Sequence, residues 1–405
     1  MKHFGYLEKE ERRQIFKHEP VEFTRNSDSE LLSHALGAAL YMPGTRSRIS
    51  NDVLSGKFLS GAHEGLTSMV VCLEDSIADG EVEGAELNLV TQLQDIKRAV
   101  DTGLFRMQDL PLIFVRIRNA GQLHKLADNL GGALELLSGF VFPKFNAKDG
   151  EVYLKTLSEI NRDYSHQLFA MPILETPEII YKESRLDTLL SIKNLLDRYR
   201  GMILNVRIGA TDFSGLFGIR RDRDTTIYNI HVISDCITDI INVFGRQDGY
   251  VISGPVWEYF GRQRILKPRI RQTPFEVSSE GMELRNEMIA NNDDALIHEV
   301  ILDRSNGIIG KTIIHPSHIK AVNSLHVVTH EEFLDASAII ESAESFNGVI
   351  KSSFSNKMNE IKPHYNWAKK IILKSKIYGV FHEEQSFIDL LTAGAGKSIH
   401  IQHTR

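Results

Sequence analysis

Eight short apolar runs recur between residues 38 and 316, and polar or charged residues follow most of them at the C-terminal edge. The runs are rich in Val, Ile, Leu and Phe and are mostly apolar on both faces, which is typical of buried parallel strands. They cover residues 38–42, 68–73, 112–117, 139–142, 168–174, 202–208, 250–253 and 307–314. Most of the segments between them are long enough for a helix, such as residues 85–100, where apolar residues recur at helical spacing.

This alternation predicts an α/β fold, a (β/α)8 TIM barrel, which typically needs about 250 residues. A doubly wound open sheet is the competing α/β arrangement. It is disfavoured because no G-x-G-x-x-G motif follows the first run.

Three parts are expected along the chain. Residues 1–36 are polar and charged, and we expect them to form a helical lead-in that closes the bottom of the barrel. Residues 37–325 are expected to form the barrel itself. Residues 326–405 predict a helical extension or lid, with helices at 331–343, 362–374 and 386–391.

Composition excludes several classes of partner. The formal net charge of -6 is mild, so neither nucleic acid nor an anionic membrane surface is indicated as a partner. No apolar run approaches the roughly 20 residues that span a bilayer. The two cysteines, Cys72 and Cys236, are interpreted as buried reduced residues of a cytoplasmic protein.

Residues at the C-terminal ends of the strands are the candidates for chemistry, since TIM-barrel active sites lie there. Acidic residues at neighbouring strand ends, Glu175 after the fifth run and Asp212 after the sixth, predict a divalent-metal site. Side chains alternate along a strand, so Arg116 and Arg118 are expected to share one face. Further candidates at strand ends are Glu74, Asp75, Lys144 and His315.

At these residues the sequence resembles the citrate lyase β-subunit and malyl-CoA lyase family of aldolase-like, Mg-dependent carbon–carbon lyases. Seven fragments over about residues 38–345 carry the resemblance, in the family's order. It looks like an atypical branch, of the kind found beside stress-response and tellurite-resistance genes. The fragments are Tyr41-Met42-Pro43-Gly44-Thr45-Arg46, Leu73-Glu74-Asp75-Ser76, Val115-Arg116-Ile117, Pro143-Lys144, Leu174-Glu175-Thr176, Gly209-Ala210-Thr211-Asp212 and Gly310-Lys311-Thr312-Ile313-Ile314-His315-Pro316.

The resemblance implies a role for each matching residue. Glu175 and Asp212 would ligate Mg2+, and Arg116 would bind the carboxylate or carbonyl oxygen of the substrate. Glu74 and Asp75 would hold metal-bound waters and the substrate, as catalytic residues together with Arg116. The remaining substrate-binding residues would be Arg46 at the acyl or carboxylate end, Arg118, Lys144, Gly209, Ala210 and Thr211.

The implied function is cleavage or formation of a carbon–carbon bond through an enolate, on a small oxo or hydroxy acid or its CoA thioester. A homo-oligomer, a trimer or a multiple of it, is also implied, with the segment after residue 325 lying over a barrel mouth. This chain departs from the family at Phe145-Asn146, where relatives carry an acidic residue, and at Arg118, an additional arginine. The second departure suggests a more anionic substrate.

Two other classes of function stay open at this point. One is a catalytically degenerate barrel used as a binding or assembly subunit, and the other is a phosphoenolpyruvate- or phosphonate-type barrel enzyme. A phosphate-binding loop at residues 394–398 is rejected, because Leu391 stands in place of the first glycine and only seven residues follow.

Overall fold

A closed barrel of eight parallel strands forms the centre of the molecule in the part of the chain described by the computed structural model, residues 1–60, 63–164, 166–260, 279–290, 293–344, 349–352 and 358–393. The last barrel strand pairs with the first, with Ala38 beside Lys311, which closes the sheet. This closure confirms the predicted (β/α)8 barrel, and the doubly wound alternative is wrong. The barrel strands are β2 (Ala38–Pro43), β3 (Ser68–Cys72), β4 (Leu112–Arg116), β5 (Leu137–Phe142), β6 (Phe169–Leu174), β7 (Val206–Ile208), β8 (Ile252–Trp257) and β9 (Lys311–Ile313); β1 (Phe16–His18), β10 (Val349–Lys351), β11 (Met358–Glu360) and β12 (Val380–Phe381) lie outside it.

Alternation along the strands divides the apolar side chains between two cores. Val70 and Phe114 belong to the core inside the barrel, whereas their neighbours Met69, Val71 and Val115 pack outwards against the helices. Burial on both faces explains why these strands are apolar throughout.

The helices cover the outside of the barrel and both chain ends. In α5, for example, Ala85, Leu89, Leu93 and Ile96 recur at helical spacing and are buried against the sheet. The helices are α1 (Lys9–Ile15), α2 (Ser29–Ala35), α3 (Ile49–Leu54), α4 (Lys57–Ser60), α5 (Val82–Asp101), α6 (Ala120–Leu130), α7 (Ala147–Asp163), α8 (Pro177–Ile180), α9 (Lys182–Arg198), α10 (Ala210–Leu216), α11 (His231–Phe244), α12 (Ser279–Ala290), α13 (Asp293–Ser305), α14 (His318–Ser324), α15 (His330–Glu344), α16 (Ile361–Tyr378) and α17 (Phe387–Thr392).

Two barrel strands are shorter than their apolar runs. The sixth run begins at residue 202, which is the last residue of a 3-10 turn at Arg200–Met202, and β7 begins only at Val206. Gly307 and Gly310 have φ values of 77° and 75°, which interrupt the extended conformation before β9.

The two ends of the chain pack together at the bottom of the barrel. The lead-in contains α1 and α2 as predicted, but β1 between them pairs antiparallel with β12. The predicted C-terminal helices are confirmed as α15, α16 and α17. The hydroxyl of Tyr378 in α16 donates to the carbonyl of His34, just before β2 begins. Within this chain, the end of α16 therefore lies beside the start of β2, and the expected position of this segment over the barrel mouth is wrong for its own barrel.

Among the described residues, no helix combines the length and apolar character needed to cross a membrane. The rejected loop at 394–398 lies outside the described residues.

Candidate functional site

A cavity of about 400 Å³ opens at the C-terminal ends of the barrel strands. Apolar and charged side chains from β2, β3, β4, β6, β7, β8 and β9, and from the segments that follow some of them, line it. The lining residues are Tyr41, Met42, Pro43, Cys72, Asp75, Ser76, Arg116, Ile173, Glu175, Arg207, Ile208, Gly209, Thr211, Asp212, Val256, Thr312 and Ile314.

Glu175 and Asp212 meet at this cavity, as predicted from their positions after neighbouring strands. Glu175 directly follows β6 and is 4% exposed, while Asp212 lies in the first turn of α10. Both residues line the cavity. Burial, with the negative charge of Asp212 adding to it, raises the pKa of Glu175 to about 7 although Arg116 opposes the shift. Burial and the negative charge of Asp75 also raise the pKa of Asp212.

A glycine makes room for the Glu175 carboxylate. The backbone N–H of Gly209 donates to the carbonyl of Leu174 at 3.0 Å, which brings Gly209 beside Glu175. A Cβ at position 209 would lie 2.3 Å from both Cβ and Oε2 of Glu175. Any residue other than glycine would therefore displace the carboxylate.

This donor set fits a magnesium ion. A buried carboxylate, Glu175, and a half-buried one, Asp212, line one cavity with raised pKa values, so a proton or a cation is needed to offset their repulsion. Mg2+ takes oxygen ligands and is commonly held by one or two carboxylates, with waters and substrate completing its shell. In the described residues there is no group of three or more His, Cys, Asp or Glu side chains arranged to hold a metal. Glu175 and Asp212 supply two carboxylates at the cavity, the number by which Mg2+ is commonly held.

Arg116 stands at the end of β4 and contacts three carboxylates. Its Nη2 lies 2.6 Å from Glu74 Oε2, 3.0 Å from Asp75 Oδ2 and 3.1 Å from Glu175 Oε1. Its Nε is buried and has no hydrogen-bond partner among the described residues. The guanidinium is therefore fixed by carboxylates and still has one N–H to offer.

Lys144 adds a second cation from the end of β5. Its ammonium contacts Glu74 and lies 3.2 Å from Asp75 Oδ1. Its backbone N–H donates to Glu175 Oε1 at 2.7 Å, and its φ is 47°, a conformation that non-glycine residues rarely adopt. This strained backbone points the N–H at the carboxylate, and strain of this kind clusters at functional sites.

Two of the arginines assigned by sequence turn away from the cavity. Arg46 contacts Asp52, with Nε 2.7 Å from Oδ2. Arg118 donates from Nε to the carbonyl of Leu73 at 2.8 Å and from Nη1 to Asp79 at 2.6 Å. Because β4 ends at Arg116, strand alternation no longer governs position 118, and Arg118 does not line the cavity with Arg116.

The segment after β7 only partly faces the cavity. Gly209 and Thr211 line it, and the Thr211 hydroxyl donates to Glu258 at 2.7 Å. Ala210 is buried in the outer core instead. His315 follows β9 and does not line the cavity. Its Nδ1 shares a hydrogen bond with Ser317 Oγ at 2.7 Å.

Sequence reasoning missed Tyr41, Arg207 and Thr312 in the lining. Tyr41 and Thr312 lie in two of the fragments that resemble the lyase family, but the resemblance implies no role for them. A charged residue in the middle of an apolar run was the signal for Arg207, because an arginine is rarely buried without a reason.

The comparisons with known proteins identify the family. The family of carbon–carbon bond lyases of the TIM-barrel fold matches residues 30–380. The chain belongs to this family. It is therefore an enzyme of the carbon–carbon lyase class, as the resemblance implied. No curated protein matches the sequence.

Chains of similar fold occur among the solved structures. A citrate lyase from Burkholderia xenovorans is 13% identical, with a TM-score of 0.56 over 85% of this chain and 92% of that one. CitE from Mycobacterium tuberculosis, in complex with magnesium, acetoacetate and coenzyme A, is 16% identical, with a TM-score of 0.47 over 85% of this chain and 99% of that one. At these identities the likeness shows the fold alone.

Proposed function

We propose that this carbon–carbon lyase is Mg2+-dependent and acts through an enolate on a small oxo or hydroxy acid or its CoA thioester. The observation that carries the proposal is the pair of buried Glu175 and half-buried Asp212 at the barrel mouth, with the Arg116 guanidinium 3.1 Å from Glu175. Family membership supplies the reaction class, and the pair supplies the argument for a cation.

The chemistry requires stabilisation of a developing negative charge. Breaking a carbon–carbon bond beside a carbonyl leaves an enolate on one fragment. A Mg2+ ion held by Glu175 and Asp212 would supply a Lewis acid for that charge. Arg116 is held in place before the reaction by Glu74, Asp75 and Glu175, so its guanidinium stabilises the enolate oxygen without reorganising.

Glu74, Asp75 and Lys144 would position the substrate and the cation around this centre. Lys144 contacts both Glu74 and Asp75, so the two acids are fixed between Lys144 and Arg116. Removing either cation would leave a half-buried carboxylate without its partner and disturb the geometry of the other.

The test is Mg2+ binding by calorimetry in Glu175→Gln and Asp212→Asn. Each change removes one charge and no volume, so Mg2+ heat and Mg2+-dependent thermal stabilisation should disappear while the circular dichroism spectrum is retained. Glu178→Gln, an exposed residue in α8, is the matched control and should bind Mg2+ as the parent does. Unchanged Mg2+ affinity in both site variants would contradict the proposal.

We also propose a location and an assembly for the protein. Cys72 and Cys236 are free and buried, which supports a reducing compartment such as the cytoplasm. A homo-oligomer, a trimer or a multiple of it, follows from the resemblance. Light scattering of the purified protein tests the assembly, and a monomer at working concentrations would refute it.

A further inference from the structure

Arg207 is a buried arginine inside the barrel, below the proposed metal pair. It is the middle residue of β7, is 2% exposed, and lines the same cavity as Glu175 and Asp212. Its neighbour Val206 packs in the outer core. The side chain of Arg207 therefore points into the barrel interior at the floor of the cavity.

The Arg207 guanidinium has no carboxylate partner. Its Nη2 donates to Thr312 Oγ1 at 2.5 Å, its Nη1 lies 3.9 Å from Met171 Sδ, and its Cζ lies 5.6 Å from the centre of the Tyr41 ring. None of the ion pairs between described residues includes Arg207. One hydroxyl, one sulfur and one ring face leave most of its five N–H donors without a strong acceptor.

Most other buried cations in the described part of the chain have carboxylate partners. Arg185 pairs with Asp235 and Asp239, and Lys311 pairs with Glu299 and Asp303. These carboxylates offset the loss of hydration that burial imposes on the cation.

Lys374 is also buried without a carboxylate partner among the described residues, but it can lose its proton. Burial lowers the pKa of Lys374 to about 7, so the side chain can be neutral. A guanidinium stays charged in proteins. Arg207 thus remains a buried positive charge that needs an anion.

The charges around the cavity point to the same need. The four carboxylates of Glu74, Asp75, Glu175 and Asp212 are balanced by Arg116, Lys144 and one divalent cation. Arg207 is then the excess positive charge of the site.

The strand register gives the depth of Arg207 along the barrel relative to the proposed metal pair. Ile173 pairs with Arg207 and Leu174 with Ile208, so Glu175 lies beside Gly209 at the next level. Arg207 is therefore two residues deeper than the metal pair, about 7 Å along the strand. A short carbon chain with an acidic group at each end bridges this distance.

We propose that Arg207, oriented by Thr312, binds a second anionic group of the substrate, a carboxylate or a phosphate. The substrate class is then a compact oxo or hydroxy acid with two acidic ends, one at the proposed metal pair and one at the cavity floor. This rests on the proposed function for the first end and for the cation in the charge balance.

Three probes with the same 2-oxo acid end test the proposed role of Arg207. Pyruvate, oxaloacetate and 3-phosphonopyruvate differ only in the group at the far end: none, a carboxylate or a phosphonate. With Mg2+ present, the parent should bind one dianionic probe roughly tenfold to a hundredfold more tightly than pyruvate, the range for a hydrogen bond to a charged group. The preferred probe tells carboxylate from phosphate.

Variants at the floor should reduce this preference. In Arg207→Met the ratio of the two dissociation constants should fall to about one, and in Arg207→Lys, which keeps the charge and loses the fork, it should be intermediate. Thr312→Val keeps the volume and removes the acceptor of Arg207, so its ratio should also fall. If Arg207→Met does not fold, the latter two variants decide.

Two results would overturn the proposal: no discrimination between the probes in the parent, or an unchanged ratio in the variants, which would mark Arg207 as merely structural. The Mg2+ dependence of pyruvate binding reports separately on the proposed function. Its absence would refute the metal site, whereas the ratio tests Arg207.

Discussion

Gly209→Ala should destabilise the protein and disrupt the proposed metal pair through a single added methyl group. The new Cβ would lie 2.3 Å from both Cβ and Oε2 of Glu175, where ordinary contacts begin at 3.4 Å, so about 1.1 Å is missing. The backbone φ of Gly209 is -96°, so no left-handed conformation requires a glycine here. The penalty is therefore steric, and overpacking of this kind costs about 1–3 kcal/mol in the free energy of unfolding.

Gly215→Ala in the same helix is the matched control. A Cβ at Gly215 has no neighbour within 4 Å, and alanine is favoured over glycine in a helix by about 0.5–1 kcal/mol. The two variants should therefore differ by roughly 1.5–4 kcal/mol in urea unfolding.

Mg2+ calorimetry on the same two variants measures the effect on the site. Mg2+ demands near-ideal octahedral geometry, so moving Glu175 by about 1 Å should weaken binding. We expect the dissociation constant for Mg2+ to rise about tenfold or more in Gly209→Ala, by analogy with loss of a residue that orients a metal ligand. It should not change in Gly215→Ala. Equal stability of the two variants would refute the steric argument, and parental Mg2+ affinity in Gly209→Ala would refute the placement of the ion beside Glu175.

Three further predictions concern the guanidinium, pH and the tail. Arg116→Lys keeps the charge but loses the planar fork and the unpartnered Nε–H of Arg116, so lyase turnover should fall at least about tenfold. Arg118→Lys should change turnover less than twofold, and similar losses in both would contradict the assignment. Without Mg2+, the free energy of unfolding should fall as pH rises from about 4.5 to about 7, by at most about 1.4 kcal/mol per unit, because buried Glu175 holds a proton that the unfolded chain has lost. Mg2+ affinity should rise over pH 6–8, and Glu175→Gln should flatten both trends. Deleting residues 347–405 should leave a chain that aggregates or unfolds, since it removes buried Tyr378 and the β12 partner of β1; a cooperative unfolding transition at the parental temperature would contradict this.

The barrel and the core of the site could be predicted from local sequence. A strand buried on both faces must be apolar, so each run marked a strand, and the polar residue after it marked the C-terminal edge. Parallel strands bring these edges together in any barrel of this kind, which is why Glu175, Asp212 and Arg116 could be placed in one cavity.

Contacts between distant residues decided the rest. β1 has only three residues, and its partner β12 lies more than 360 positions further along the chain, so no local pattern indicates the pairing. The segment after residue 325 had an amphipathic pattern, but the surface that it covers depends on the lead-in at the barrel bottom. Apolar periodicity shows that one face of a helix must be buried, but it does not show which part of the protein packs against that face.

The direction of side chains at the strand ends likewise depends on the tertiary structure. Arg116 is the last residue of β4 and obeys strand alternation, whereas Arg118 follows the end of β4 and binds the carbonyl of Leu73. Arg207 lies within a strand, but whether it faced the helices or the interior depended on the register of β7 against β6. A shift of one residue exchanges the two faces of a strand, and only the closed sheet fixes that register.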